Sequence, residues 1–512
     1  MSGGARAATR TEAAGVPRRL VGAAWPSLAV AGLALLLLVP VLDLDPPRSV
    51  TFSDSPFTDE AWYVLNSRNL VLFGRWATDD WTLYLVTPVY AALQALNFSL
   101  FGPGILQARA LVTAVTVSTA VLLAAGLRPS LGTTAALLAA IALATSALAL
   151  YYGRLAYAEI LVGAALTAAT LAAGRASATA SFGWGLLAGA ALALSAGAKP
   201  VALGAAAGLV LGAVVAGGAR PAVLRWAFGA LLVFALAAAG WLLVVWIPAG
   251  AGGGSVLRIL TPQALPISVA DLAERIAGYV QRNDGAFARS APLVLGALAA
   301  LVLAAAGIPR RNSSGSDEAE PDTGRSIAGA AAGWFLLGLA VLLVQDYRPN
   351  RYFVPLLPAL AILTGIGARA ALDAIPAALP RHARLLACLA LVGALGLPGI
   401  ATHVDWIGRG TRMLPGVEAR AAKLLPSGSA VEGPYAPAVA LAAHSSALVA
   451  RPDRAINEGD LYLERGVRWV VADSEYVPAW VHRHPEAWAA REAVVCFLWG
   501  HSWQQVCLLR VP

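Results

Sequence analysis

Two adjacent carboxylates, Asp59 and Glu60, stand in the stretch Pro56-Phe57-Thr58-Asp59-Glu60-Ala61-Trp62-Tyr63 of a chain that is otherwise mostly lipid-soluble. Charged groups beside a bilayer cost free energy unless water, partners or a task holds them there. Farther along lie Arg154 and Glu159, then Lys199, then Arg348, Arg351 and Tyr352, each at or near the end of an apolar run. Carboxylates with several fixed cations at a lipid–water boundary suit a reaction that takes a proton from one group and leaves an anion on another.

The elements that must bring these residues together are membrane helices. Of the 512 residues 58% are hydrophobic and 13% charged, and the mean hydropathy is +0.68; no soluble domain has such a balance. The formal net charge is +8, but the arginines are scattered between apolar runs rather than gathered on one face, which argues against a nucleic-acid partner. Apolar stretches of spanning length predict eleven helices, at 21–42, 105–127, 131–150, 157–174, 183–198, 200–217, 226–247, 291–308, 326–344, 352–370 and 384–400. The first is too long and too poor in a small-residue cleavage site for a removable signal, so it reads as a retained helix. Arginines cluster before the first span and in alternate loops, which puts the N-terminal tail 1–20 in the cytoplasm of a multi-pass plasma-membrane protein. On that topology Asp59, Glu60, Arg154, Glu159, Lys199, Arg348, Arg351 and Tyr352 all fall on the outer side.

Residues 43–104 form a long first outer loop within the membrane domain 21–400, and its Trp62, Tyr63, Phe73, Trp76, Trp81 and Tyr84 suggest helices lying in the interface. A polar linker, Arg310–Arg325, reads as disordered on the cytoplasmic side, and a Gly-rich stretch in 248–290 leads to a helical patch on the outer one. From 401 to 512 composition becomes ordinary. β-type runs such as Arg468–Ala472 and Val494–Leu498 alternate with helical stretches such as Val417–Leu425, so the expected fold is an all-α polytopic membrane domain with a small α/β extracytoplasmic C-terminal domain. Cys496 and Cys507 flank Trp499-Gly500-His501-Ser502-Trp503. They face each other if a hairpin turns at His501-Ser502, where an oxidising outer face would let them form a disulfide, and are otherwise two buried thiols; Cys388, within a span, reads as packing.

At these residues the chain resembles the GT-C superfamily of membrane glycosyltransferases, in the branch of protein O-mannosyltransferases and lipid A aminoarabinose transferases. The resemblance is carried by Thr58–Tyr63, by Leu100-Phe101-Gly102 to Arg109, by Gly153-Arg154-Leu155-Ala156-Tyr157-Ala158-Glu159, by Ala198-Lys199-Pro200 and by Arg351-Tyr352-Phe353-Val354-Pro355-Leu356-Leu357-Pro358, and covers roughly 50–370. It implies a polyprenyl-phosphate sugar donor and inversion at the anomeric carbon, with Asp59 as first choice of catalytic base and Glu60 second. Lys199, Arg351 and Arg154 are then the cations for the lipid phosphate, Tyr352 a hydrogen-bond donor, and Glu159 and Arg348 supporting residues. The chain reads Leu85-Val86-Thr87-Pro88-Val89-Tyr90 where some relatives carry a basic residue and paired prolines, which favours a mannose-type donor over aminoarabinose. A phosphomonoester leaving group demands less neutralisation than a diphosphate, so no metal cofactor is required. The acceptor, whether protein, glycan or lipid, stays open.

Each role has a plainer alternative. Asp59 could cap a helix beginning near Ala61, and Glu60 would sit well at that helix's N-terminus. Arg154 and Glu159 could pair across a bend. Lys199, one of only two lysines in the chain, could snorkel to headgroups, and Arg348 and Arg351 could anchor a span. Arg109 reads as structural or headgroup-facing. Rival functions are a transporter or flippase, a metal-dependent oligosaccharyltransferase, and a non-catalytic scaffold.

Overall fold

The structure is a computed structural model that describes residues 16–45, 56–218, 220–249, 268–281, 290–305, 323–345, 349–375, 380–450, 457, 460–473, 476–499 and 504–512. Arg348, residues 310–322 of the expected linker, most of the Gly-rich stretch and the turn at 500–503 lie outside the described residues.

The membrane part is helical throughout: α1 (Val16–Leu38), α2 (Pro56–Phe73), α3 (Pro88–Phe101), α4 (Ile105–Ala144), α5 (Ala147–Tyr152), α6 (Glu159–Thr179), α7 (Phe182–Ala198), α8 (Ala202–Gly217) and α9 (Pro221–Trp241), which runs on through a π turn at Leu242–Trp246. After these come α10 (Val269–Gln281), α11 (Ala291–Ala305), α12 (Thr323–Val344), α13 (Leu357–Ala374) and α14 (Arg381–Arg409). Among the described residues seven helices are long and apolar enough to cross a membrane, and α7 and α8, with 17 and 16 residues, are shorter. The count of eleven is therefore not reproduced as eleven long helices. One reason is α4: its 40 residues would run about 60 Å, twice the hydrocarbon thickness. The chain breaks it at Gly132, whose φ of 79° is non-helical, just inside the second of the two stretches expected to be separate spans.

Helix pairing follows the small residues. α8 and α12 meet backbone to backbone along Gly208 and Gly212 on one side and Gly329 and Gly333 on the other. A Cβ on Gly208 would lie 2.1 Å from the carbonyl oxygen of Gly333, and one on Gly212 2.0 Å from that of Gly329. Lipid offers apolar side chains nothing they lack when packed together, so close approach and dispersion decide which faces pair.

Beyond α14, helix α15 (Met413–Leu424) leads into a five-stranded sheet of order β2-β1-β3-β5-β4. β1 (Ala430–Glu432) lies parallel to β2 (Ser446–Leu448) and β3 (Trp469–Ala472); β5 (Gln504–Arg510) runs antiparallel between β3 and β4 (Glu492–Trp499). Cys496 faces Cys507 across the β4–β5 pair, and the two are disulfide-bonded.

Two of the aromatic residues expected at an interface pack inside the protein. Trp62 and Trp81 are buried, the Trp62 indole donating to the carbonyl of Pro434 at 3.0 Å and that of Trp81 to the carbonyl of Trp62 at 2.9 Å. α2 is clamped beneath the C-terminal domain. Its Arg68, fully buried, donates through Nε to Leu441 O at 2.8 Å, and its Nη2 lies within hydrogen-bond distance of the carbonyls of Ala440, Ala443 and Ser445. Loss of water pushes this guanidinium down to about 9. Asp79 accepts from the Val449 amide at 2.9 Å and from Asn457 Nδ2 at 2.8 Å, yet burial pushes its carboxyl up to about 6. Glu418 of α15 accepts from the Ile105 amide at the start of α4, at 3.2 Å, and burial pushes it up to about 7. Asp45 caps α15 through the amides of Met413 and Leu414 at 2.6 and 3.1 Å.

Two outcomes follow. Gly208→Leu, which must force α8 and α12 apart, should cost about 1–3 kcal/mol and lower the thermal midpoint of the purified protein, while Gly240→Ala, with nothing within 4 Å of its added carbon, should not. A carboxyl raised in the fold stabilises it fully below its unfolded value, and that contribution is lost as pH rises through the folded value. The thermal midpoint should therefore fall between pH 5 and pH 8, and Glu418→Gln, neutral throughout, should flatten the fall.

Candidate active site

The two adjacent carboxylates part company because successive helical residues point about 100° apart. α2 begins at Pro56, not near Ala61, so Asp59 lies in its first turn instead of capping it. Tyr63, four residues on, shares a face with Asp59.

On that face Asp59 Oδ2 meets Arg351 Nη1 at 2.7 Å. Arg351 Nε lies 3.4 Å from Glu159 Oε1, and Lys199 Nζ lies 2.5 Å from the same oxygen. Lys199 also donates to the Tyr63 hydroxyl at 2.5 Å and sits over the ring of Tyr352, 4.2 Å from its centroid. The Arg351 guanidinium carbon is 5.5 Å from the ring centres of both Tyr157 and Tyr352, and Tyr63 stands edge-on to Tyr157 at 5.9 Å. Burial and the nearby Glu159 hold the Tyr63 phenol well above its ordinary value, so it remains protonated.

Local sequence explains each placement. Glu159 opens α6 and Lys199 closes α7, so each charge sits at the helix end whose dipole favours it. Pro200 stops α7 directly after Lys199. Arg351 and Tyr352 stand in a 3-10 turn, Asn350–Leu356, that precedes α13. Lys199 is buried with its amine paired, so it does not snorkel to headgroups, and Arg351 is an ion-pair residue more than a span anchor.

Glu60 goes elsewhere. Completely buried, it takes a two-pronged pair from Arg109, Nε to Oε1 at 2.9 Å and Nη2 to Oε2 at 2.8 Å, and its Oε1 also accepts the Ala156 amide at 2.7 Å. Arg109 Nη2 further lies 3.7 Å from Asp45 Oδ1. Arg109 is thus a fully buried structural cation, with no surface for a headgroup. Arg154, expected among the phosphate-binding cations, belongs with this second group: its Nη1 donates to the carbonyl of Leu44, and it makes no ion pair with Glu159 among the described residues. Glu60, expected as a second base, has both oxygens committed. Of the predicted site, Asp59, Glu159, Lys199, Arg351 and Tyr352 come together, Glu60 and Arg154 form a separate cluster, and Arg348 lies outside the described residues.

Sequence reasoning missed Tyr63 and Tyr157, which wall the first cluster, and for Arg109, read as structural or headgroup-facing, it did not find the carboxylate that Arg109 holds in the second. Tyr63 carried a readable signal, its helical spacing from Asp59; Arg109 carried none, since its partners are 49 and more positions away. Among the described residues no group of three or more His, Cys, Asp or Glu side chains gathers to hold a metal ion.

Residues 86–245 match the family model described as dolichyl-phosphate-mannose-protein mannosyltransferase. The fold is similar to that of ArnT from Cupriavidus metallidurans, solved with undecaprenyl phosphate bound: the TM-score is 0.60 at 14% identity, over 96% of this chain and 98% of that one. The chain has the fold of the GT-C membrane glycosyltransferases. It is also similar to the Archaeoglobus fulgidus oligosaccharyltransferase solved with zinc and sulfate, with a TM-score of 0.50 and 14% identity over 89% of this chain and 69% of that one. The arabinofuranosyltransferase AftD from Mycobacteria gives 0.50 at 16%, over 96% of this chain but 40% of its own length. No curated protein matches by sequence. Within this GT-C fold the first cluster lies where α2, α6, α7 and the 3-10 turn before α13 converge.

Removing one partner of a buried pair strands the other charge, at about 3–5 kcal/mol. Glu60→Ala should therefore lower the thermal midpoint far more than Asp59→Asn, whose site is partly open; parity of the two would refute the structural assignment of Glu60.

Proposed function

We propose that the protein transfers a sugar, of the mannose type, from a polyprenyl-phosphate donor to an acceptor hydroxyl on the outer face of the membrane, inverting the anomeric carbon. The observation that carries this reading is the meeting of Asp59 with Arg351, Lys199 and Glu159 in one largely buried cluster. The match of 86–245 to a mannosyltransferase model supports the donor class, as does the undecaprenyl phosphate in the structure of ArnT.

In the reaction the acceptor hydroxyl oxygen attacks the anomeric carbon while Asp59 takes its proton. The bond from that carbon to the phosphate oxygen breaks, and its electron pair leaves with the lipid phosphate. Negative charge therefore grows on the phosphate as the transition state forms, so fixed cations there stabilise it more than the bound donor. Arg351 presents a planar fork of donors to such an oxyanion, and Lys199 a compact charge. Glu159 holds the two cations at one spacing, and Tyr352 supplies a hydroxyl and the ring beneath Lys199. The leaving group is neutralised by side chains alone, with no metal ion assigned a part. The C-terminal domain faces the same compartment, and its contact with α2 keeps Asp59 in place.

The test is to incubate the purified protein in detergent or vesicles with a panel of polyprenyl-phosphate sugars and an acceptor extract, and follow release of lipid phosphate with and without a chelator. Turnover should survive the chelator, and Asp59→Asn should lower it about 10²–10⁴-fold while the donor still binds. Loss of turnover on chelation points instead to a metal-dependent oligosaccharyltransferase, and indifference to Asp59→Asn to a scaffold.

A further inference from the structure

Both cations assigned to the donor phosphate already have carboxylate partners. Arg351 Nη1 is 2.7 Å from Asp59 and its Nε 3.4 Å from Glu159, while Lys199 is 2.5 Å from Glu159. Two carboxylates balance two cations, so an entering phosphate must either add an uncompensated charge to a poorly hydrated cluster or take over a cation from one of its present partners. The first course is expensive in low dielectric.

Exposure decides which partner yields. The side chain of Glu159 is 0% exposed, wedged between two cations at the start of α6, whereas that of Asp59 is 16% exposed, the most open of the four. The Arg351 guanidinium carbon lies 5.5 Å from the ring centres of Tyr157 and Tyr352, and its planar fork of donors suits a phosphate as well as a carboxylate.

We infer that the donor phosphate and Asp59 compete for Arg351: in the empty enzyme the guanidinium masks the base, and phosphate binding draws it away and frees Asp59 for the acceptor hydroxyl. This rests on the glycosyltransferase reading above. A single exchange readies both halves of the reaction, moving positive charge from the base, where it hinders proton uptake, to the leaving group, where it helps. The base is then unmasked only when a donor is bound.

The experiment measures binding of undecaprenyl phosphate to the full-length protein, to Asp59→Asn, to Arg351→Gln and to the double variant. Competition predicts that Asp59→Asn tightens binding about five- to tenfold, and that this gain vanishes in the Arg351→Gln background, because coupled residues depart from additivity. Equal tightening in both backgrounds would mean simple repulsion through space, and no tightening would mean no competition; either overturns the proposal while leaving the glycosyltransferase reading intact. Failure of the unaltered protein to bind the lipid overturns both. A second readout needs no Arg351 variant: on adding the lipid, the infrared difference spectrum should carry a carboxylate-stretch change that is absent in Asp59→Asn. A spectrum without it also overturns the exchange.

Discussion

A carboxylate cut off from water needs partners in place of it, and at Glu60 that requirement organises this molecule. Glu60 meets it with two nitrogens of Arg109 and the amide of Ala156, which ties α2, α4 and the turn before α6 into one joint. Such a pair yields little net stability over an apolar substitute, but it tolerates almost no displacement, because either charge alone would be stranded. Helical geometry then delivers its neighbour. With Glu60 fixed, Asp59 projects from the adjacent face of α2 toward Arg351, and the position of the proposed base follows from a neighbour held by Arg109 and Ala156.

Much of the architecture was legible in the sequence because lipid imposes a simple rule, a long apolar run for each helix. The rule fails where a run exceeds or falls short of the bilayer. α4 merges two expected spans across the kink at Gly132, and α7 and α8 pack as short helices, so apolar length alone does not count crossings. Of the five C-terminal strands β3 and β4 were visible as β-branched runs, while the facing of Cys496 and Cys507 hung on where the hairpin turned and is settled by the β4–β5 register.

The site was half legible for a related reason. Asp59, Glu159, Lys199, Arg351 and Tyr352 stand out as polar residues at apolar span ends, and a shared side of the membrane suffices to predict that they meet. What a shared side does not specify is which cation goes to which carboxylate. Arg154 and Lys199 look alike in sequence, yet one is drawn to the carbonyl of Leu44 beside Arg109 and the other to Glu159. That choice depends on helix crossings whose partners lie tens to hundreds of positions apart. The first-loop tryptophans illustrate the same point: aromatic character does not say which side chains meet a domain, and Trp62 and Trp81 are the ones buried here, against Pro434 and each other.

The cage around Arg68 has a bearing on biosynthesis. α2 leaves the ribosome near the beginning of translation, but the carbonyls that receive its guanidinium follow some 370 positions later. Throughout insertion of the intervening helices those acceptors do not yet exist, and the helix bearing Asp59 lacks this clamp. The setting of the first loop is thus completed late, once the C-terminal domain has been made and has closed over it.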